Sequence, residues 1–348
     1  MSAPVDPKQP QPTGQLSMKE VARLAGVSPM TVSRVLSAPH LVKPETLEQV
    51  QSIIRAVRYV PNRVAGSLAS RRTSLVGLII PSLRNALYAE TIQGISDVLQ
   101  RHGLHLMISD SGYSLEREEA LISAYLSQRP CGLILHNTTH TEAARHLLQD
   151  SGVPCVETGN LTTQPIDMAV SYSNREAGRA MADHLLSRGY RRFGFASLPI
   201  SGNERLRERR DGFFDGLRAA GIEIDPAMVL EVGEGLENGS HALAELMRRD
   251  ASVQALFLAG DVLAAGAILE CTRRGLRVPG DIAIAGSDDN ELMQQTVPPI
   301  TTVRFPRYRI GVRSAELIVS RQEEERSQPD TQSATEDLGF EIVPRGST

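Results

Sequence analysis

Two short helical patterns joined by a tight turn near the N-terminus constrain this chain more than any other feature. Ser17 and Glu20 form a capping box, which satisfies backbone amides at the start of a first helix. Gly26 supplies the turn, and Ser28 before Pro29 is typical of a second helix start, because a proline there loses no backbone hydrogen bond. Both segments carry apolar residues at helical spacing, namely Val21, Leu24, Ala25, Val32, Val35 and Leu36. The sequence therefore predicts a helical hairpin here.

The second predicted helix has an outer face suited to contact with DNA. Its apolar side chains face inward, and the residues left at its start and on its outer face are Ser28, Pro29, Met30, Thr31, Ser33 and Arg34. This is the geometry of a helix-turn-helix, whose second helix reads base edges in the major groove with its N-terminal residues. The motif is short, and a three-helix bundle that binds another protein is about equally compatible with it.

The distribution of charge decides between these two partners. Through Thr73 the chain carries ten basic side chains against four acidic ones, a net charge of +6. The whole chain has a net charge of −4, so the remainder carries −10. A basic head on an acidic body is typical of a nucleic-acid-binding protein built from two parts. The charge therefore favours double-stranded DNA as the partner.

A third helical pattern runs from 44 to about 57, and a shorter one begins at Asn62. Gly66 costs the short helix about 1 kcal/mol relative to alanine, and a helix of this length is marginal in water without a partner. We therefore expect a hinge that becomes ordered when it docks. The N-terminus is rich in Pro and Gln and is expected to be disordered. The expected segments are a tail at 1–16, a DNA-binding domain at 17–60, a hinge helix and linker at 61–73, and a body at 74–348.

From Leu75 onward, continuous apolar runs alternate with helical patterns. The apolar runs lie at 75–80, 104–108, 132–135, 154–156, 192–196, 255–258 and 282–285. The helical patterns between them lie at 88–102, 115–129, 174–188, 207–220, 240–249 and 263–274. Apolar strands with helical crossovers indicate an α/β body of doubly wound parallel sheets covered on both faces.

Two such series of similar length predict two lobes that separate near 171–174. We expect the first lobe at about 74–172 and 302–325, and the second at about 173–301 and 326–345, with a last strand near 336–343. Ligands of doubly wound sheets bind beyond the carboxyl ends of the strands. The cleft between the lobes is therefore the expected binding site.

Several catalytic and targeting patterns are absent from the sequence. It has no G-x-S-x-G, Walker loop or H-E-x-x-H, which argues against an enzyme. The three cysteines have no spacing typical of a zinc or redox site, and we expect no cofactor or metal. Residues 1–15 lack the apolar segment of a signal peptide, and no apolar run is long enough to span a membrane. We therefore expect a cytoplasmic protein and not a secreted sugar-binding protein, which would share the two-lobe body.

Several motifs occur together in the chain. They are Ala25-Gly26-Val27-Ser28, Thr31-Val32-Ser33-Arg34-Val35-Leu36, Tyr59-Val60-Pro61-Asn62-Arg63, Val76-Gly77-Leu78-Ile79-Ile80-Pro81 and Pro279-Gly280-Asp281-Ile282-Ala283-Ile284-Ala285-Gly286. Together they resemble the lactose-repressor (LacI/GalR) family of bacterial transcriptional regulators, over nearly the whole chain from Met18. Residues 85–90, 139–141 and 337–340 are similar to the repressors of gluconate utilisation within that family. The resemblance implies a periplasmic-binding-protein-like body behind the helix-turn-helix head.

For the DNA, the resemblance implies a homodimer that represses transcription from a pseudo-palindromic operator. Pro29 and Met30 match positions that vary operator preference, and their side chains offer apolar contact. Asn62 matches the residue that opens the hinge helix, and Leu68 matches a leucine wedged into the minor groove, with the hinge around Ala65 to Leu68 ordering on DNA. A further C-terminal helix that makes tetramers in the family is not seen after the last predicted strand, so a dimer is expected.

For the effector, the resemblance implies a sugar acid such as gluconate, with 2-ketogluconate or another sugar as alternatives. Arg209 matches the arginine that holds the ligand, although a solvated Arg in the basic run 205–210 is an equal alternative. Asp261 matches the acid that accepts from ligand hydroxyls, but Gly260 replaces the usual asparagine before it. Tyr88 matches an aromatic residue that covers the ligand. Polar residues just past strand ends are further candidates for the rim of the cleft, namely His136, His140 and Glu157.

Overall fold

The computed structural model describes residues 16–59, 73–324 and 334–348. The chain divides into two units, Met1–Arg71 and Arg72–Thr348, which we call the head and the body. In the part of the chain that the structure describes, no helix combines the length and the apolar character needed to cross a membrane.

The head contains three α-helices, and the capping box predicted at its start is present. The helices are α1 (Met18–Leu24), α2 (Pro29–Ser37) and α3 (Pro44–Ala56), with a 3-10 turn at Pro39–Leu41 between the last two. The backbone amide of Ser17 donates to the Glu20 carboxylate at 2.7 Å, and the Glu20 amide donates to Ser17 Oγ at 3.3 Å. Ser28 Oγ accepts from the amide of Thr31 at 3.1 Å and caps α2.

The core of the head forms where the three helices meet. Val21, Val32 and Val50 are completely buried there. Two leucines predicted to face inward are instead largely exposed, Leu24 at 44% and Leu36 at 37%. A unit of three short helices has too little surface to cover every apolar side chain near its helix ends.

The first lobe of the body is built on a six-stranded parallel sheet. Its strands are β1 (Leu75–Ile80), β2 (His105–Asp110), β3 (Gly132–Leu135), β4 (Cys155–Glu157), β5 (Met168–Ser171) and β11 (Ala334–Asp337), in the order β11-β5-β4-β3-β1-β2. The second lobe has the strands β6 (Phe193–Ser197), β7 (Val229–Glu231), β8 (Ala255–Leu258), β9 (Ala283–Ser287), β10 (Thr301–Arg304) and β12 (Glu341–Val343), in the order β12-β10-β9-β8-β6-β7. This second sheet is parallel except for β12, which runs antiparallel to β10.

Helices cover the sheets of both lobes. They are α4 (Ala89–Arg101), α5 (Leu115–Ser127), α6 (Glu142–Ser151), α7 (Asn174–Ser187), α8 (Glu204–Ala219), α9 (Leu236–Arg249), α10 (Asp261–Arg274), α11 (Glu291–Gln295) and α12 (Arg307–Glu324). Helices α7 and α8 pack at glycines: a Cβ on Gly178 would lie 1.9 Å from the Arg209 carbonyl oxygen, and one on Gly212 would lie 1.8 Å from that of Arg175. This close approach fixes α8, which carries two arginines of the site described below.

The C-terminal part of the chain differs from the prediction. The strand expected near 336–343 is two strands in different sheets, since β11 pairs with β5 of the first lobe and β12 pairs with β10 of the second. Residues 326–345 therefore do not all belong to the second lobe. The boundary expected at 302 is also shifted, because β10 remains in the second sheet to Arg304, which pairs with Glu341 of β12. The chain thus passes between the lobes after β5, after β10 and after β11.

Candidate functional site

A cavity in the body lies where the carboxyl ends of strands from both sheets meet. Its wall comes from residues that follow β1, β2, β3 and β5 in the first lobe and β6, β7, β8 and β9 in the second. Parallel sheets bind ligands at this edge, because the segments after the strands present side chains and helix starts there. Four of the six predicted effector-site residues lie on the wall, namely Tyr88, His136, Arg209 and Asp261.

The guanidinium of Arg209 is held by neighbours within its own lobe. Its Nη1 donates to Ser287 Oγ at 2.7 Å and its Nη2 donates to Asn174 Oδ1 at 2.8 Å. The Asp288 carboxylate lies 3.5 Å from Nη1, and the Phe305 ring centroid lies 4.8 Å from the guanidinium carbon. The buried Nε has no hydrogen-bond partner among the described residues. Both Nη atoms of this arginine are therefore already engaged.

Arg205, on the first turn of α8, reaches across to the first lobe. Its Nη1 donates to the His136 carbonyl at 2.8 Å and to Asn137 Oδ1 at 2.6 Å. Glu204 lies 3.8 Å from the same nitrogen, but its carboxylate accepts from the Thr138 amide at 2.8 Å. The buried Nη2 finds no hydrogen-bond partner in residues 73–324 or 334–348. Arg205 therefore links the two lobes, lines the cavity and keeps one buried guanidinium nitrogen unsatisfied.

Tyr88 and His136 form the first-lobe side of the wall. Their rings meet edge to face with centroids 4.9 Å apart, and His136 Nδ1 lies 2.9 Å from Thr158 Oγ1. Burial, and then the positive charge of Arg205, lower the pKa of His136 well below its usual value. Burial raises the pKa of Tyr88, whose side chain is hydrogen-bonded to Tyr113. This side therefore offers a neutral imidazole and neutral phenols to a ligand.

Acidic side chains from the second lobe also line the wall. Asp261 begins α10, where its carboxylate accepts from Asn290 Nδ2 at 2.5 Å and from the Val262 amide at 2.7 Å. Burial and the nearby Asp288 raise the pKa of Asp261 to about 6. Asp288 is itself paired with Arg307 at 2.5 Å. At neutral pH Asp261 therefore presents a carboxylate that accepts hydrogen bonds.

Glu157 is not at the rim of the cavity, contrary to the prediction. It is completely buried and accepts a hydrogen bond from the Ile166 amide. The predicted rim residue His140 is also buried, with Nε2 3.4 Å from Glu157 Oε1 and Nδ1 bonded to Glu118. The reason is that Glu157 is the last residue within β4, where its side chain lies on a sheet face, whereas His136 comes just after β3.

Several wall residues were missed from the sequence. Arg205 was left outside the helix expected at 207–220, whereas α8 begins at Glu204. Asn203 caps that helix. Asparagine is a common N-cap residue, and its presence would have located the start of the helix. Asp288 directly follows β9, which is where a binding residue is expected in a parallel sheet. It was missed because the predicted strand ended at 285, three residues before Asp288.

The outer face of α2 in the head is accessible. Ser28, Pro29, Ser33 and Arg34 are exposed, and Met30 is 71% exposed. Thr31 is half-buried, with its hydroxyl 2.9 Å from Ser28 Oγ. Asn62, Ala65 and Leu68, predicted to form the hinge helix, lie outside the described residues.

Comparisons with known proteins agree for both units. Residues 17–62 match the family of bacterial regulatory proteins named lacI, and residues 182–348 match the periplasmic binding protein-like domain. The HTH-type transcriptional regulator GntR of Pseudomonas aeruginosa is 36% identical over 350 residues, with 100% of both chains covered. The regulator GntR of Escherichia coli K12 is 31% identical over 330 residues, which cover 95% of this chain and 98% of the relative.

A solved structure is similar over almost the same length. The crystal structure of a Lacl family transcriptional regulator from Silicibacter pomeroyi superposes with a TM-score of 0.88 at 35% identity. The similarity covers 95% of this chain and 99% of that one.

Proposed function

Because the chain belongs to the lactose-repressor family of bacterial transcriptional regulators, we propose that it represses genes of sugar-acid catabolism and leaves its operator when gluconate binds. Its similarity to GntR regulators supports a sugar acid as the effector class. In this proposal the protein acts in the cytoplasm as a homodimer on a pseudo-palindromic operator, and is a regulator and not an enzyme. The runner-up effector is 2-ketogluconate.

The exposed face of α2 supports the DNA-binding part of the proposal. A helix whose N-terminal end is accessible can enter the major groove, while its buried valines fix it against the rest of the head. Arg34 would read guanine or hold a phosphate, Thr31 and Ser33 would contact phosphates or base edges, and Met30 would make apolar contact with a thymine methyl. The hinge residues Asn62, Ala65 and Leu68 stay a prediction.

The cavity between the lobes is the observation that carries the effector part. It places buried guanidinium groups and carboxylates on one wall, together with neutral aromatic side chains. A polyhydroxy acid matches this wall, since its carboxylate pairs with a guanidinium and its hydroxyls donate to carboxylates. Tyr88, His136, Arg209 and Asp261 are the proposed contacts, and Glu157 is not among them.

Release from DNA would follow from the arrangement of the lobes. A ligand that contacts both lobes favours the arrangement in which they are close together, and so shifts the population between arrangements. The body is joined to the head through residues 61–73, for which the sequence predicts a hinge helix of low intrinsic stability. Paired hinges in a dimer would keep their order only while the lobes hold them at the spacing that DNA requires.

Genomic fragments captured by the full-length protein and sequenced would give the operator, and fluorescence anisotropy would then give its affinity. We expect Arg34→Ala to weaken operator binding roughly tenfold or more, since a base-reading arginine contributes about 1–3 kcal/mol. Arg179→Ala, which removes an exposed arginine of the body, is the matched control and should bind as the wild type does. Equal binding by all three proteins would refute the assigned DNA face.

The effector is tested by thermal shift with gluconate, 2-ketogluconate, 6-phosphogluconate and neutral sugars. We expect gluconate to raise the unfolding temperature and to release the operator at matching concentrations. A protein lacking residues 1–72 should keep the thermal shift and lose DNA binding. If only neutral sugars stabilise the body, the sugar-acid assignment is wrong.

A further inference from the structure

The wall of the cavity has a cationic end and an acidic end. Arg205 lies with Tyr88 and Tyr113 and is bonded to the first lobe through its Nη1. Asp261 lies at the other end, close enough to Asp288 for the two carboxylates to repel each other. A ligand with one charged end would therefore be oriented in this cavity.

The two arginines of α8 differ in what they can still bind. Arg209 uses both Nη atoms within the second lobe, and the Asp288 carboxylate offsets its charge at 3.5 Å. Arg205 keeps Nη2 without a hydrogen-bond partner in the described body, although the residue is only 6% exposed. Its acidic neighbour Glu204 is turned to the Thr138 amide. A buried guanidinium nitrogen without a partner is costly, so this group favours an anionic acceptor.

We propose that Arg205, and not Arg209, receives the carboxylate of the effector, whose hydroxyl chain extends toward Asp261 and Asp288. This inference rests on the proposed function and adds the orientation of the ligand and its charge. The effector is then a monoanionic polyhydroxy acid with an uncharged far end. Arg209 shapes the wall and has only its Nε left for a ligand hydroxyl.

Two consequences follow for ligand selection. A carboxylate on Arg205 satisfies Nη2 with a charge-assisted hydrogen bond, and a neutral amide in its place forms a weaker one. A second anionic group at the far end, as in a 6-phosphate or a dicarboxylic acid, would meet the carboxylate of Asp261, whereas that of Asp288 is already paired with Arg209 and Arg307. Such ligands are therefore rejected because their second anionic group is repelled at the Asp261 end of the cavity. Their attraction to Arg205 is unchanged.

The experiment compares gluconate with gluconamide, which has the same length and hydroxyls but no charge. Calorimetric titration of the full-length wild type should show roughly tenfold or greater preference for gluconate, as expected for a hydrogen bond between charged groups. Arg205→Gln should reduce this preference to about twofold or less. Arg205→Lys keeps a cation and should retain part of the preference. Glucarate, a dicarboxylate, should bind the wild type more weakly than gluconate does.

Arg207→Gln is the matched control, because Arg207 is exposed two residues along the same helix. It should behave as the wild type. Thermal unfolding without ligand shows whether each variant is folded. If Arg205→Gln is not folded, Arg205→Lys is used for the test in its place.

The outcomes separate this inference from the proposed function. Suppose that the wild type prefers gluconate and that Arg205→Gln keeps the full preference. The carboxylate then lies elsewhere, and the inference is wrong while the effector class stands. If Arg205→Gln does not fold, full preference in Arg205→Lys has the same meaning. If the wild type binds neither gluconate nor gluconamide, the proposed effector class is wrong and the inference falls with it. Tight binding of glucarate would overturn the assigned orientation.

Discussion

Glu204 and Thr138 belong to different lobes and are joined by two hydrogen bonds. The Glu204 carboxylate accepts from the backbone amide of Thr138 at 2.8 Å and from its hydroxyl at 3.2 Å. Glu204 stands on the first turn of α8, and Thr138 follows β3, so the bonds close the cavity beside Arg205. The two hydrogen bonds therefore hold the lobes together next to the site.

The first prediction concerns this contact. Glu204→Ala should make the amides of residues 136–141 exchange with solvent about tenfold faster, since a hydrogen bond to a charged group contributes about 1.5 kcal/mol. Hydrogen–deuterium exchange with mass spectrometry measures this. Glu204→Gln keeps an oxygen acceptor and should retain most of the protection. Unchanged exchange in the alanine variant would mean that the contact does not hold the lobes.

The second prediction concerns Gly159, which lies beneath two wall residues. A Cβ there would lie 2.9 Å from His136 Nε2 and 3.1 Å from Arg205 Cδ, and the backbone has a φ of +93°. Gly159→Ala should therefore displace the wall and weaken gluconate binding roughly tenfold, with about 1–3 kcal/mol lost from the free energy of unfolding. Gly152→Ala is the control, since Gly152 also has a positive φ but no atom within 4 Å of its added Cβ. It should lose stability and keep the affinity.

The third prediction uses the raised pKa of Asp261. Because the pKa in the folded protein is about 6 against 3.8 normally, the charged form costs stability above pH 6 and none below about pH 4. Asp261→Asn should therefore increase the free energy of unfolding by about 3 kcal/mol at pH 8, with the gain disappearing as the pH falls to 4. Denaturant titrations across this range measure it.

Asp281 supplies a control of opposite sign. Its side chain is exposed, and its hydrogen bonds with Arg277 lower the pKa of Asp281 to about 2. Asp281→Asn should therefore destabilise the protein at pH 7, with the difference shrinking as the pH falls through 3.8 toward 2. A stability gain for this variant, or none for Asp261→Asn, would contradict the electrostatic explanation.

The fourth prediction concerns the buried His140. Burial opposes its charge, but the carboxylates of Glu118 and Glu157 outweigh burial and raise the pKa of His140 to about 9. The stabilisation is therefore complete below pH 6.5 and is lost as the pH rises through 9. His140→Gln should cost about 3 kcal/mol in the free energy of unfolding at pH 6 and much less at pH 9.5.

Urea unfolding at several pH values measures this difference. His146→Gln, at an exposed position of α6, is the control for loss of a histidine outside the cluster. If the cost of His140→Gln is the same at pH 6 and pH 9.5, the two glutamates do not hold a charged imidazole.

Local patterns in the sequence were sufficient for the helices of the head and for the long apolar strands, because both periodicities are set by neighbouring residues. The short strands β5, β7 and β10 were missed. The division of the C-terminus between the sheets could not be read locally. Whether β11 pairs with β5 or with a strand of the other lobe depends on contacts between residues far apart in the chain.

For the site, too, the sequence predicted individual residues but not their contacts with distant parts of the chain. Tyr88, His136, Arg209 and Asp261 were found through family resemblance and strand ends, and they do line one cavity. Their partners were not foreseen, because the engagement of Arg209 by Asn174 and Ser287 requires α7, α8 and β9 to be packed together. The prediction for Glu157 was wrong for a simpler reason. An error of one residue at a strand end moves a side chain from the rim of the cavity to the face of the sheet.

The late position of β11 has a consequence for synthesis on the ribosome. The strands β1 to β5 emerge early, but the edge strand that covers β5 is translated only after the second-lobe strands through β10. During that interval the outer edge of Met168–Ser171 has no neighbour from its own sheet, and such an edge can pair with other chains. The nascent protein therefore passes through a long aggregation-prone stage, and a chaperone that shields this edge would raise its yield.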